Sequence, residues 1–544
     1  MVRCRNISCL LSLLSIGFML LGCGRPKPPV EPPASPQPLV EVELDEVVAT
    51  IDHLTYGCNQ PLIQEVPFRR IGGNRTTGYN WEINASHAGI DADNMSDRWL
   101  NRSVSLDETD SRPAAWMLEK LARHKAENAD SLVTVPLVGY VVADGDGTSV
   151  ASDQTAPSKR WAAVVAAKPG GNFGQPDLND GKVYVDEEVA WLVANAGTAN
   201  QGGPKYYSLD NEPSLWSDTH PRLHPEKTTY SEVTSQAIAA ADAVLSVDAD
   251  AKIVGPSLYG WNAHQSLQSA PDKSSLNNEH GNFSAYFLSQ MRQASEQKGR
   301  RLLHVFDFHW YSEATAGGTR IARGEGDSLT SAEIVRARLQ APRSLWDPTY
   351  VEDSWIAASL GEPIQLIPRM QGIIEANYPG TRLGFLEYNY GAGHHISGGL
   401  ATADALGIFG QHGVAACLWV ERSGNDYEKA AFRLFLNYDQ AGSHFQNLAL
   451  KTSSATPQLD SVYASRSDDG KTITVVLINK QAKSSLQKQI QLNGSEQEGT
   501  LRAYRFGPGQ PQVLPAGEDQ LQSVTGGFEI KCPPHTATLV EIKL

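Results

Sequence analysis

The stretch that decides the fold is Tyr206-Tyr207-Ser208-Leu209-Asp210-Asn211-Glu212-Pro213-Ser214-Leu215-Trp216. Its first four residues have the apolar and aromatic pattern of a buried strand, and the polar run Asp-Asn-Glu-Pro follows at once. In barrels of parallel strands, the catalytic groups lie at the carboxyl ends of the strands. Because Pro213 disfavours helical geometry for Glu212, we expect Glu212 to be extended, with its side chain beyond the strand end. The alternative is an ordinary carboxylate in a surface loop.

A second stretch repeats this arrangement and supplies a second carboxylate. Leu383-Gly384-Phe385-Leu386-Glu387-Tyr388-Asn389-Tyr390-Gly391 is an apolar run that ends at Glu387 and continues into a glycine-rich loop. Cleavage of a glycosidic bond needs two carboxyl groups on either side of the anomeric carbon. The 175 positions between Glu212 and Glu387 leave room for three or four strand-plus-helix units of about 30 residues each. The pair therefore predicts glycoside chemistry.

Beyond these two stretches, the chain divides into a long α/β body and an all-β tail. Strand-like and helix-like segments alternate through 50–437, which predicts a TIM-like (β/α)8 barrel. The helical signal fades after this point, and short alternating runs through 438–544 predict a β-sandwich. A strand-like segment at 39–49 precedes the barrel, and we expect it to join the sandwich.

The amino terminus has the pattern of a lipoprotein export signal. Basic residues precede an apolar run that is too short to span a bilayer, and this run ends in Leu20-Leu21-Gly22-Cys23. We expect cleavage after 1–22, lipid attachment at Cys23 and a proline-rich linker over 23–38. These features predict an exported protein anchored to the outer membrane or cell surface of a bacterium. The alternative is an ordinary cleaved signal with a chance cysteine.

Composition and motifs exclude several other functions. The 544-residue chain has a formal net charge of -15, which argues against nucleic-acid binding and is typical of an exported enzyme that acts on a neutral polymer. Metalloprotease, esterase and nucleotide-binding motifs are not found. Asp91-Ala92-Asp93 and Asp144-Gly145-Asp146 offer oxygen ligands that suit Ca²⁺ only weakly, so structural calcium is possible but solvated turns are favoured. We expect no required cofactor, no catalytic metal and a monomer.

Several long motifs resemble glycoside hydrolase family 44. They are Gly72-Gly73-Asn74-Arg75-Thr76-Thr77-Gly78-Tyr79-Asn80-Trp81-Glu82, Thr134-Val135-Pro136-Leu137-Val138-Gly139-Tyr140, Asp307-Phe308-His309-Trp310-Tyr311 and the stretches around Glu212 and Glu387. The first segment departs from the expected pattern in Trp81-Glu82-Ile83-Asn84, where the family would have an Asn-Asn pair, and at His87, where it would have Asn. The resemblance implies a retaining endo-β-1,4-glucanase on a TIM-like barrel with a β-sandwich, active on soluble cellulose derivatives and xyloglucan. It also implies that Glu212 is the acid/base and Glu387 the nucleophile.

The rest of the site follows from what these two roles require. We expect Arg75, His309 or Tyr311 to donate to Glu387 and stabilise its ionised form, and Asn211 to bind the 2-hydroxyl of a sugar. Arg75 and Glu82 form a structural ion pair in the alternative interpretation. Sugar faces need aromatic platforms, and the candidates are Trp81, Trp216, Trp310 and Trp419, although a core position is the commoner fate of tryptophan.

Two other functions remain open at this point. The first is another retaining β-glycanase, such as a xylanase or a mixed-linkage glucanase. The second is a surface lipoprotein that binds glucan without turnover. The presence of both glutamates favours an enzyme over the binding protein. A retaining enzyme requires carboxyl groups about 5–5.5 Å apart, whereas an inverting enzyme requires about 6.5–9.5 Å.

Overall fold

The computed structural model describes residues 39–544 except 323–328, 421–423, 454–455, 495–498 and 518–519. The predicted signal segment, the lipid site Cys23 and the linker up to residue 38 therefore lie outside the described residues. Among the helices of the described part, none is long and apolar enough to cross a bilayer.

Eight parallel strands form a closed barrel, so the predicted TIM-like fold is confirmed. In chain order the barrel strands are β1 (Gly57–Cys58), β2 (Phe68–Ile71), β3 (Asp130–Val135), β4 (Tyr206–Leu209), β5 (Lys252–Leu258), β6 (Val305–Phe308), β7 (Arg382–Asn389) and β8 (Ala415–Leu418). Each strand pairs with its neighbours in the chain, and β8 pairs with β1 to close the barrel. A short strand, Trp310–Tyr311, continues from β6 along β7.

Helices connect the barrel strands and cover them on the outside. The longer ones are Ala115–Ala126, Val185–Ala196, Tyr230–Val247, Lys273–His280, Phe283–Lys298, Ala332–Gln340, Leu366–Asn377, Ile396–His412 and Asp426–Leu436. Shorter ones are Asn74–Thr77, Trp216–Thr219, Trp261–Ser266 and Trp355–Leu360. Tyr230–Val247 begins with a capping box, in which the Thr229 hydroxyl accepts from the Glu232 amide at 3.1 Å.

Three insertions leave the barrel from the carboxyl ends of its strands, on the side where the two glutamates lie. The loops after β2 and β3 share a small antiparallel sheet of Ser86–His87, Met95–Asp97 and Thr148–Ser149. The loop after β3 adds a second sheet of Tyr140–Val142, Trp161–Val165 and Lys182–Tyr184. The loop after β6 contains the hairpin Thr315–Ala316 and Thr319–Arg320.

The carboxyl-terminal part is a ten-stranded sheet with a hydrophobic core of its own. Its strands are Leu39–Thr50, Leu448–Thr452, Asp460–Arg466, Thr472–Asn479, Leu486–Asn493, Thr500–Gly507, Gln510–Pro515, Leu521–Val524, Gly527–Cys532 and Thr536–Lys543. Leu39–Thr50 runs antiparallel to Leu448–Thr452 and parallel to Leu486–Asn493. The amino-terminal strand therefore belongs to the β domain, and the chain enters the barrel from it.

The inside of the barrel is apolar at one level and polar at the next. Phe68, Leu132, Tyr206 and Val305 belong to one buried apolar cluster. Side chains alternate along a strand, so the residues two positions further on point to the same face. These residues are Arg70, Thr134, Ser208 and Asp307, all fully buried and all polar. The polar level lies toward the carboxyl ends of the strands, directly below the candidate site.

Candidate active site

Glu212 lies in the loop after β4, held by the neighbouring strand. Its backbone has φ 49° and ψ 55°, in the left-handed region, so the prediction of an extended residue is wrong. The reason is a tertiary contact, because the Glu212 amide donates to the Ser257 carbonyl on β5 at 2.9 Å. Pro213 then begins a short 3-10 turn. The side chain remains 20% exposed, which the predicted acid/base role requires.

Glu387 lies on β7 and is held by two donors. Arg70 donates to its Oε2 at 2.6 Å, and the Tyr311 hydroxyl donates to its Oε1 at 2.8 Å. One oxygen of this carboxylate lies within 4.8 Å of one oxygen of Glu212. The structure thus brings the two predicted carboxylates together, with both oxygens of Glu387 bound to fixed donors.

His309 lies between the two carboxylates. Its Nδ1 is 2.8 Å from Oε1 of Glu212 and 3.8 Å from Oε2 of Glu387, and its Nε2 is 3.5 Å from Oδ2 of Asp307. Burial alone would lower the pKa of His309, but the three surrounding carboxylates together raise it to about 10. The imidazole is therefore protonated at neutral pH and donates to Glu212.

Glu212 retains its proton more strongly than an exposed glutamate. Burial raises its pKa by more than the hydrogen bond from His309 lowers it, and the charge of Glu387 raises it further. Two carboxyl groups this close resist joint ionisation, so the proton stays on one of them. Because Glu387 has Arg70 and Tyr311 as donors, the proton belongs on Glu212.

Arg70 was missed by sequence reasoning, which proposed Arg75 as the cationic partner of Glu387. Arg75 instead pairs with Asp97 at 2.6 Å and lies over the Trp99 ring, so this prediction is wrong. The alternative ion pair of Arg75 with Glu82 does not form either. Arg70 is fully buried on β2 and also donates to Oδ1 of Asn211 at 2.6 Å. An arginine inside a four-residue buried strand is the signal that could have identified it.

Asn211 is oriented by its neighbours, which leaves one polar atom available. Its backbone amide donates to Asp210, whose buried carboxylate also accepts from the Thr77 hydroxyl and from the Leu137 and Val138 amides. These four donors fix the loop that carries Asn211 and Glu212. Within the described residues, Nδ2 of Asn211 has no protein partner and is not sealed from solvent. The binding of a sugar hydroxyl by Asn211 remains a prediction.

Three of the four predicted aromatic platforms are core residues. Trp81, Trp216 and Trp310 are at most 1% exposed, because Trp81 packs against Trp191, Trp216 against His224 and Trp310 against Phe308. The assignment of Trp81 and Trp216 as platforms is therefore wrong. Trp310 borders the cavity described below, so its contact with substrate remains a prediction.

Trp419 differs from these three because it is partly exposed at the end of β8. Gly73, with φ 108°, lies beneath it, and a Cβ on Gly73 would come within 3.1 Å of the ring. Trp355, which was not predicted as a platform, is 44% exposed. Trp355 and Trp419 are thus two tryptophans near the strand ends that are exposed enough to offer a ring face to a ligand.

A cavity of about 330 Å³ opens beside Glu212. Its lining includes Glu212, Trp261, Asn262, Tyr311, Glu313 and Trp355. The lining combines aromatic rings with carboxylate and amide groups, the combination that binds both the apolar faces and the hydroxyl edges of a sugar.

The candidate calcium ligands are engaged with protein groups. Asp144 pairs with Arg160 at 2.7 Å, Asp146 accepts from Thr148, and Asp91 accepts from Asn74. Glu212, His309 and Glu387 are close enough together to surround a metal ion. A protonated imidazole has no lone pair at Nδ1, however, so this trio is better suited to proton transfer than to metal binding.

Comparisons with known proteins agree with this geometry. The model of glycoside hydrolase family 44 matches residues 75–314. A family 44 xyloglucanase from Paenibacillus polymyxa, solved also with xyloglucan, is 40% identical with a TM-score of 0.89, covering 93% of this chain and 99% of that one.

Two curated relatives are similar over most of this chain. Endoglucanase A of Paenibacillus lautus is 44% identical over 464 residues, which is 84% of this chain and 66% of the relative. Beta-mannanase/endoglucanase A of Caldicellulosiruptor saccharolyticus is 40% identical over 491 residues, 87% of this chain and 37% of the relative. The chain thus spans just under two thirds of the length of the first relative and just over one third of the length of the second. The fold, the paired glutamates and these similarities together place the chain in glycoside hydrolase family 44.

Proposed function

We propose that this protein is a retaining endo-β-1,4-glucanase that hydrolyses internal bonds of soluble cellulose derivatives and xyloglucan. The observation that carries the proposal is the short separation of the two glutamates, whose nearest oxygens lie within 4.8 Å. A separation this short favours the spacing of about 5–5.5 Å of a retaining enzyme over the about 6.5–9.5 Å at which an inverting enzyme fits a water molecule. The names of the family 44 relatives support glucan and xyloglucan as substrates.

In the first step, Glu387 attacks and Glu212 donates. An oxygen of Glu387 forms a bond to the anomeric carbon while the bond from that carbon to the glycosidic oxygen breaks. Glu212 gives its proton to the departing oxygen, which leaves as a free hydroxyl. His309 stabilises the new Glu212 carboxylate through the 2.8 Å hydrogen bond. Arg70 and Tyr311 hold Glu387 in place for the attack.

In the second step, water displaces Glu387 from the sugar. Glu212 takes a proton from a water molecule, the water oxygen bonds to the anomeric carbon, and the ester bond to Glu387 breaks. Glu387 leaves as a carboxylate and Glu212 is protonated again. Two inversions at the same carbon give net retention of configuration.

The stereochemistry of the first product tests this mechanism directly. Proton NMR of a cellooligosaccharide digest should show the β-anomer before mutarotation produces the α-anomer. An α-anomer formed first would contradict the proposal, because it requires direct attack by water.

Replacement of the nucleophile separates the enzyme from a non-catalytic binding protein. Glu387→Ala should abolish the release of reducing ends from carboxymethylcellulose, whereas the wild-type protein should release them. A wild-type protein that binds the polymer but releases none would support the binding protein. Parallel assays on xyloglucan, cellulose, mannan and xylan would then distinguish a glucanase from a xylanase.

We also propose that the mature chain is exported and anchored by lipid at Cys23, as a monomer on a bacterial outer membrane or cell surface. The support is the sequence pattern ahead of Cys23 and the proline-rich spacer after it. Labelled palmitate should be incorporated into the wild-type protein in cells, and Cys23→Ser should remove both the label and the membrane association. Unlabelled wild-type protein in the medium would contradict the anchor.

A further inference from the structure

Asp307 occupies the centre of the polar level inside the barrel. It lies on β6, is fully buried, and has no access to substrate. Its Oδ1 accepts from the Leu386 amide at 2.9 Å, and its Oδ2 accepts from the Ser257 hydroxyl at 2.9 Å. A buried carboxylate is costly unless every oxygen has a donor, so these contacts explain how the site tolerates it.

The first contact involves an irregularity in the strand that carries Glu387. Asp307 is opposite Gly384, and Trp310 is opposite Tyr388, so β7 has one residue more than β6 between these pairs. Such bulges re-aim side chains beside active sites. The Leu386 amide lies within this bulge and donates to the Asp307 side chain. Asp307 therefore fixes the backbone immediately before Glu387.

The second contact leads to Glu212. Gly255 is opposite Phe306 and Leu258 is opposite Phe308, so β5 also has an extra residue beside β6. Ser257 in this bulge has φ 53°, and its carbonyl accepts from the Glu212 amide at 2.9 Å. Its hydroxyl is the group that binds Asp307. The same carboxylate thus fixes the backbone contact of Glu212.

The third contact is electrostatic and involves His309. Oδ2 of Asp307 lies 3.5 Å from Nε2 of His309, whose other nitrogen donates to Glu212. The charged groups around His309 are Glu212, Glu387 and Asp307, with Arg70 beyond them. Asp307 is the only one of the three carboxylates that takes no part in the proposed chemistry, so its charge is constant through the cycle.

We propose that Asp307 is a positioning residue that sets the places of both glutamates and supplies a fixed negative charge beside His309. The inference rests on the proposed function, since it assigns to Asp307 a role in that reaction. In the sequence, Asp307 is marked only as the first residue of the motif Asp307-Phe308-His309-Trp310-Tyr311. Three strands converge on it, and each of its three contacts leads to a different member of the site.

The test compares Asp307→Asn with the wild-type protein. Asparagine keeps the size and one acceptor but removes the charge, so kcat on carboxymethylcellulose should fall about 100-fold while KM changes less than about threefold. In protein labelled with 13C at histidine Cε1, the pKa of His309 should fall by about one unit or more. A His309→Gln spectrum identifies the resonance among the 14 histidines.

Asp404→Asn is the matched control. Asp404 is equally buried but pairs with Lys480 at 2.8 Å, next to the β domain. This variant should lower the melting temperature yet leave kcat and the His309 titration unchanged. A purely structural role for Asp307 would make the two variants behave alike.

The outcomes separate this inference from the proposed function. If wild-type protein hydrolyses glucan and Asp307→Asn keeps kcat within about threefold or leaves the His309 titration unmoved, the inference is overturned. Failure of the proposed function would instead appear as a wild-type protein that hydrolyses no glucan. If Asp307→Asn does not fold, Ser257→Ala is the variant that tests the inference. This variant should lower kcat about tenfold, and an unchanged kcat overturns the inference.

Discussion

At the scale of single residues, the site works through unequal surroundings of two identical side chains. Glu387 is bound by Arg70 and Tyr311, whereas Glu212 is bound by His309 and borders the cavity. The first arrangement favours a carboxylate, and the second favours a protonated acid beside the cavity. The proposed roles of nucleophile and acid therefore follow from the neighbours and not from the residue type.

Arg70 offers the sharpest test of this account. Lysine has one point charge and cannot reach Glu387 and Asn211 together, so Arg70→Lys should lower kcat/KM on carboxymethylcellulose about 100-fold. Arg69→Lys is the control, because Arg69 is next in the strand but points outward to Glu127. That variant should keep its activity. Equal losses in both variants would mean that the effect arises from damage to β2.

The proposed acid role of Glu212 can be tested through the pH dependence of kcat/KM. Because burial raises the pKa of Glu212, the wild-type protein should retain kcat/KM well above pH 4.5 and lose it only as Glu212 ionises.

Glu212→Ala should lower hydrolysis of glucan about 10²–10⁴-fold but should still form the enzyme ester from 2,4-dinitrophenyl cellobioside. Azide should then yield a β-glycosyl azide, and the alkaline limb of the rate profile should disappear. An α-azide would contradict the assignment.

At the scale of elements, paired histidines join the loops after β2 and β4. Nδ1 of His87 and Nδ1 of His220 are 3.0 Å apart, and Nε2 of His220 donates to the Asn74 carbonyl at 2.9 Å. Gly89, with φ 60°, lies so close that a Cβ would come within 2.9 Å of His220. The loop that carries Glu212 is thus held to the loop beside Trp419.

This pair predicts acid sensitivity. Burial lowers the pKa of His87 to about 2 and that of His220 to about 4, whereas both are near 6.5 when unfolded. The contribution of the two neutral histidines to the free energy of unfolding should therefore be fully present above pH 6.5. It should fall as the pH drops toward 4, since the unfolded chain then binds more protons than the folded one. His87→Asn should reduce the fall in melting temperature between pH 7.5 and pH 5, measured by calorimetry. His444→Asn, outside the pair, should not reduce it.

The sequence predicted the elements that have a pattern of their own and failed where contacts between elements decide. β4 and β7 are apolar runs that end in a carboxylate, and both were identified. β1 has only two residues, Gly57–Cys58, too few to show any period. The burial of Trp81 and Trp216 depends on which side of a loop is covered, and the inward position of Arg70 is defined only once the barrel closes. Sequence alone contains neither fact.

At the scale of the whole molecule, the barrel and the β domain form one compact unit. Asp404, on helix Ile396–His412, pairs with Lys480 and accepts from the Tyr463 hydroxyl, both in the β domain. Gly407 on the same helix is so close to Tyr463 that a Cβ would come within 2.2 Å of its ring. A buried ion pair and a contact this tight leave little freedom between the two parts, so they should unfold together.

Cooperative unfolding can be measured because all 11 tryptophans lie in the barrel sequence, between positions 81 and 419. Phe528 is fully buried in the core of the β domain, far along the chain from any of them. Phe528→Ala should lower the free energy of unfolding, measured by tryptophan fluorescence in guanidinium, by about 3–5 kcal/mol. Leu514→Ala, at a position 39% exposed, should change it by less than about 0.5 kcal/mol. The opposite outcome would be an unchanged fluorescence transition for Phe528→Ala together with a second, earlier step in its circular dichroism. That result would mean that the barrel is stable without its β domain and that the two parts unfold independently.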